Sequence, residues 1–164
     1  MTQIATELDV QKSFRTVMGR YATGVALITA RQGDRQYGMA VNSFTSVSLS
    51  PTLLLFCPSR TSTTWPRIAE IGSFCVSLLA AHQEGVSRTF AGKSVDRFAG
   101  LNWLETRRGH PALVGGLGWI ECTIEDTHPA GDHDVVIARA DAWRCTEDAV
   151  EPLIFFDGKY QAAS

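Results

Sequence analysis

The sequence has no long apolar run, and nothing in it approaches the roughly 20 consecutive apolar residues of a membrane-spanning helix. Its amino terminus, "MTQIATELDV", carries neither the basic segment nor the apolar core of a secretory signal. The expectation is a cytoplasmic, unanchored chain. Charge of one sign is not in excess either, because 15 Lys and Arg oppose 17 Asp and Glu for a formal net charge of -2. That balance gives no electrostatic footprint for nucleic acid or an anionic membrane. Cysteine is sparse: Cys57, Cys75, Cys122 and Cys145 form no C-x-x-C pair, and each sits in an apolar run where a thiol is ordinarily buried. A reducing compartment fits that pattern.

Several catalytic signatures are absent as well. There is no G-x-S-x-G elbow, no P-loop and no H-E-x-x-H, so the usual anchors of hydrolase, kinase and zinc-protease readings are missing. The segment "GGLGWIE", residues 115–121, precedes a strand-like run instead of following one and lacks a third glycine, so it reads as a turn. In "THPAGDHD", His128, Asp132, His133 and Asp134 are metal-ligand types, but adjacent ligands on one turn point apart and no second cluster completes four-coordination. No metal is expected.

What the chain does contain is the material of one domain, with 164 residues and 45% apolar composition. Residues 9–22 place Val10, Phe14, Val17, Met18 and Tyr21 at helical spacing behind Asp9, which can cap the first turn. From Gly24 the period changes. The runs "GVALITA", "YGMAVNSFTSVSL", "TLLLFCP" and "SFCVSLLA", and later "LGWIECTIEDTHP", "DVVIARADAWRCT" and "PLIFFDGKY", are short, β-branched and bounded by turn residues. Between them, Ser62 or Thr63 can cap a short helix that tolerates Pro66 and ends at Gly72, and "AHQEGVSRTF" reads as another. Six or seven strands with three helices, not alternated as βαβ units, predict an all-β barrel with peripheral helices. Residues 1–164 are expected to form one domain, with a core over about 10–161.

Two neighbouring segments stand out. In "GMAVNSFTSVSLSP" the positions between apolar residues carry small hydroxyl and amide groups where a solvated strand face usually carries charge. In "CPSRTSTTW" an apolar strand runs into Ser59, Arg60, Thr61, Ser62, Thr63 and Thr64 ahead of a helix, a set of donors suited to an anion. Trp119 and Trp143, in apolar runs, are expected to pack, in the core or at a dimer interface.

Together with "FRTVMGRYATGVALITA", "RTFAG", "DRFAGLNW", "GDHDVVIARA" and "PLIFFDGKY", these segments resemble the short-chain flavin reductases of two-component flavin monooxygenases, within the flavin reductase-like, FMN-binding split-barrel proteins. The resemblance covers nearly the whole chain. It implies a mainly β fold, a six-stranded antiparallel split β-barrel of Greek-key type with a few peripheral α-helices, assembled as a homodimer. It also implies hydride transfer from NADH or NADPH to FAD or FMN, with the reduced flavin released to a separate flavin-dependent monooxygenase.

By the same resemblance, Met39, Ala40, Val41, Asn42 and Ser43 line the isoalloxazine, and Cys57, Ser59, Ser62 and Thr63 hold the ribityl and phosphate. Phe90, Ala91, Gly92 and Phe98 form a loop beside the flavin where Lys93 or Arg97 adds charge, and Tyr160 closes the site. His133 is the candidate catalytic residue near the nicotinamide; its other reading is to hold the turn at Gly131 and Asp132. The chain departs from the family pattern at Ala138, where a glycine is common, and near Asp157, where a basic residue is common. Hydride transfer needs two stacked rings and no nucleophile, which agrees with the missing triad. Two alternatives stay open: a split-barrel oxidase that retains its flavin, and a flavin-binding carrier without turnover.

Overall fold

The computed structural model describes residues 6–92, 96–147 and 150–163. It opens with helix α1 (Glu7–Gly19), capped by Thr6. Asp9, expected to cap, sits instead at the third helical position, and its carboxylate reaches back to the Thr6 amide while the Thr6 hydroxyl accepts from the Asp9 amide. None of the α1 residues is buried.

The strands follow in chain order: β1 (Thr23–Gly24), β2 (Ala26–Gln32), β3 (Arg35–Val41), β4 (Thr45–Leu49), β5 (Thr52–Phe56), then β6 (Ser73–Leu78) after helix α2 (Trp65–Ile71). A 3-10 turn (Ala81–Gln83) leads into helix α3 (Glu84–Ala91). The remaining strands are β7 (Trp103–Glu105), β8 (Pro111–Leu113), β9 (Gly118–Ala130), β10 (His133–Cys145), β11 (Ile154–Phe156) and β12 (Lys159–Gln161). The fold is mainly β with a few helices, as expected, but the strand count of the main sheet is corrected. Seven strands, not six, pair antiparallel in the order β3-β2-β6-β9-β10-β5-β4, and the ladder does not close between β3 and β4.

Those two edges are consecutive in the chain. The run read as one strand from Tyr37 to Leu49 breaks at residues 42–44, and this link carries the chain from one edge of the sheet to the other. Four residue steps span about 14 Å at most, so the edges are held close and the sheet must curl into a barrel with one open seam.

Because the sheet is covered on both faces, β2 is apolar on both. Ala26, Ile28 and Ala30 point into an inner core with Phe56, Phe74 and Val136, plugged by Trp65 and Ile68 of α2. Leu27 points outward, with Leu79, Phe90, Leu113 and Leu153. On that outer face the β7–β8 pair is fastened by side chain to backbone bonds, Thr29 Oγ1 donating to the Pro111 carbonyl at 2.5 Å and the Leu113 amide donating to Ser77 Oγ at 2.9 Å. Residues 114–117 form the expected turn. One expectation fails: Cys145 is exposed, and Trp143 is 59% exposed and so stays out of the core, because both lie where β10 has run past its pairing with β5, which ends at Arg139.

Candidate functional site

The open seam is where the expected site residues gather. Asn42, exposed, and Ser43 sit on the link itself. The Ser43 hydroxyl accepts from the Cys57 amide at 2.9 Å and donates to the Cys57 carbonyl at 3.3 Å, which ties the link to the end of β5. Ser43 therefore staples the seam with its hydroxyl. Burial pushes the Cys57 thiol above its ordinary range, which keeps it protonated and unreactive at neutral pH.

A groove of about 750 Å³ runs along the seam between α1 and the link, lined by Arg15, Met18, Thr23, Asn42, Ser43 and Phe44 among others. Thr23 Oγ1 on its wall is buried and has no hydrogen-bond partner. A polar group in that state favours a ligand atom that can satisfy it. Next to the groove, Ala40, Val41, Asn42, Ala91 and Tyr160 line a smaller cavity of about 150 Å³ with Ser87. The buried Ser87 hydroxyl donates to Tyr160 Oη at 2.9 Å, and the Arg88 guanidinium lies 4.8 Å from the centroid of the same ring.

The hydroxyl-rich loop follows Cys57 directly. Ser62 Oγ accepts from the Thr64 and Trp65 amides at 3.2 and 3.1 Å, so it caps the start of α2 as expected, although Thr64 is the boundary residue and Thr63 is exposed. Ser59 pairs across to His133 in an isolated antiparallel bridge. The Arg60 amide donates to the Asp132 carbonyl, and the Asp134 amide to the Pro58 carbonyl, each at 3.0 Å. The loop and the β9–β10 turn are thus one unit, and His133 reaches the seam because β9 and β10 are long enough to carry it there. Its Nδ1 lies 2.7 Å from Asp132 Oδ1, and the side chain is 45% exposed. That hydrogen bond and the imidazole charge hold the Asp132 carboxyl below its usual range.

Other expected residues lie beside the site without facing it. Phe90 is buried, with Phe98 edge-on at 5.0 Å and Trp103 at 6.2 Å. Met39 and Val41 pack on the inner core. Arg97 is spent on structure: its guanidinium donates to the Gly38 carbonyl at 3.0 Å and the Gly92 carbonyl at 2.8 Å, and lies 3.5 Å from Thr64 Oγ1. Lys93 lies outside the described residues. Sequence reasoning missed Arg15 and Thr23, which meet the groove only through the fold, and named Asp134 only as a metal-ligand type, although its partners Trp65 and Arg60 lie far away in the chain. Among the described residues no group of three or more His, Cys, Asp or Glu is arranged to hold a metal, and His128 pairs with Asp126.

Comparison with known proteins places this geometry. A "flavin reductase" of Pseudomonas putida is 42% identical over 166 aligned residues, covering 98% of this chain and 96% of its own. The crystal structure of nitrilotriacetate monooxygenase component B from Mycobacterium thermoresistibile superposes with a TM-score of 0.94 at 38% identity, over 97% of this chain and 89% of that one. The NADH:FAD oxidoreductase SgcE6 of Streptomyces globisporus, solved with NAD and FAD fragments, gives a TM-score of 0.88 at 33% identity, over 98% and 96%. The family model described as "Flavin reductase like domain" matches residues 18–164, the span that holds the seam, the groove lining apart from Arg15, and the His133 turn, and the chain belongs to that family.

Proposed function

We propose that the protein is an NAD(P)H:flavin oxidoreductase that reduces FAD or FMN and releases the product to a separate flavin-dependent monooxygenase. The observation that carries the reading is a chain of hydrogen bonds, in a member of this family, that ties Asn42 and Ser43 on the groove wall through Cys57 to the Ser59–Thr63 loop, and that loop to the His133 turn. Its volume is that of a small-molecule site, and its wall offers the unpaired Thr23 hydroxyl and the exposed Asn42 amide to a flat polar heterocycle. When bound, the flavin supplies the hydride acceptor. Backbone groups of residues 39–43 would align its ring, and Ser59, Ser62 and Thr63 would flank its ribityl and phosphate. Ala91 and Tyr160 would shape the far wall, with Phe90, Gly92, Arg97 and Phe98 supporting it from behind.

His133, half exposed and oriented by Asp132, would place the nicotinamide or donate a hydrogen bond as charge develops. With so much of the groove open, the site suits a flavin that comes and goes as a substrate. The reading carries a cytoplasmic location, and among the described residues no helix is long and apolar enough to cross a membrane. It also carries a homodimer. Phe14 and Val17 of α1, and Tyr21 just beyond it, are 64%, 66% and 70% exposed beside the groove, an apolar face that a second copy would cover.

The test mixes the purified protein with NADH or NADPH and with trace or excess FAD or FMN, following the nicotinamide absorbance. Turnover that scales with free flavin supports the reductase. Flavin that stays bound through desalting and every turnover would favour the flavin-retaining oxidase, and bound flavin without nicotinamide consumption would favour a carrier.

A further inference from the structure

One carboxylate joins the two halves of the site. Asp134 Oδ2 accepts from the Trp65 indole at 3.1 Å, and Asp134 Oδ1 lies 3.7 Å from Arg60 Nε. The Asp134 side chain is only 17% exposed, whereas that of Arg60 is 56% exposed. Among the described residues no hydrogen bond uses the Arg60 Nη groups, so they are available to an anion at the hydroxyl loop. The surrounding charges nearly cancel. Arg60 faces Asp134 across the loop, and Arg15 of α1 lies close enough to help lower the Asp132 carboxyl, beside His133.

We propose that Asp134 is a positioning residue that acts through Arg60: it orients the guanidinium by Nε, offsets its charge, and keeps the loop's hold on a flavin phosphate weak. The inference rests on the flavin-reductase reading and deepens it, because a reductase that hands its product on needs a loose grip at this subsite. The carboxylate serves a second end, anchoring Trp65 at the start of α2, which explains why it is mostly buried beside an exposed arginine.

Asp134→Asn separates the two ends, since an amide oxygen still accepts from the Trp65 indole while the negative charge is gone. Binding of FMN and of riboflavin, which lacks the phosphate, is read by flavin fluorescence without nicotinamide. Removing one charge within several ångströms of a phosphate in a partly solvated site should tighten FMN about three- to tenfold. Riboflavin should be unchanged, and the gain should shrink at high salt. Trp65→Phe, which removes the indole donor and leaves the carboxylate, should leave the ratio of FMN to riboflavin affinity as in the wild type.

Unchanged or weaker FMN binding in Asp134→Asn overturns the proposal. So does a parallel shift for riboflavin, or the same FMN shift in Trp65→Phe. A change confined to the KM for NADH would assign the phosphate to the dinucleotide and overturn it equally. Wild-type NADH consumption with FMN is measured beside these. Flavin binding without consumption removes the reductase reading alone, consumption without the FMN shift removes the Asp134 role alone, and no flavin binding removes both.

Discussion

The ring of Phe90 lies directly against Gly38, so close that a Cβ added there would stand 2.5 Å from Phe90 Cε1 and 3.1 Å from Phe98 Cζ. The same Gly38 presents its carbonyl to Arg97. This contact sets the spacing between β3 and α3, and with it the wall of the cavity under Ala40 and Tyr160.

Gly38→Ala should therefore displace the Phe90–Phe98–Trp103 cluster and loosen the Arg97 clamp. Overpacking of this kind typically costs about 1–3 kcal/mol. Urea unfolding should show a lower midpoint with an unchanged slope; a midpoint equal to wild type would mean that the ring gives way freely.

His110, 2% exposed, makes stability depend on pH. Its Nδ1 accepts from the Arg31 amide at 3.2 Å, so Nε2 carries the proton and donates to Ser73 Oγ at 2.8 Å. Burial pushes its pKa below the usual histidine value; Arg108 and Arg31 add to the effect and Glu121 opposes it. Because the folded value is the lower one, the unfolded chain takes up a proton first as pH falls. Stability should be level above about pH 6.5 and drop below it, towards the folded pKa. His110→Gln should flatten that slope in urea titrations repeated across this range. It should also cost about 1–3 kcal/mol at neutral pH for the buried groups left unpaired.

His133→Ala should lower the maximal rate or raise the NAD(P)H requirement more than it weakens flavin binding, by about 100-fold or more if the imidazole exchanges a proton with the reacting rings. Steady-state kinetics at fixed flavin reads this. Unchanged kinetics would return His133 to holding the turn with Asp132.

The α1 face gives the oligomer test. Phe14→Asp with Val17→Asp should shift sedimentation from dimer to monomer while leaving secondary structure intact, because neither side chain is buried within the chain. A wild type that sediments as a monomer removes the homodimer.

Periodicity revealed most elements of this fold but few of its pairings. The helical spacing of Val10, Phe14 and Val17 places α1 well, yet that pattern alone says nothing about what covers the face, and it finds no cover among the described residues. Strands β7 and β8 escape notice because three residues cannot show alternation, and their attachment depends on Thr29, Ser77 and Ser73 from elsewhere in the chain. The alternation from Tyr37 to Leu49 conceals a break, since Asn42 and Ser43 continue the pattern while the backbone changes sheet edge. For the site, the resemblance named segments that the fold brings side by side, but Arg97 shows the limit of reading roles by residue type. Its charge looked like a ligand contact, and its donors are taken by two carbonyls.

The link at residues 42–44 does two things at once: it fastens the edges of the curled sheet and supplies part of the groove wall. The Ser43–Cys57 hydrogen bonds tie that piece of wall to the end of β5, so the groove and the sheet edge share one anchor.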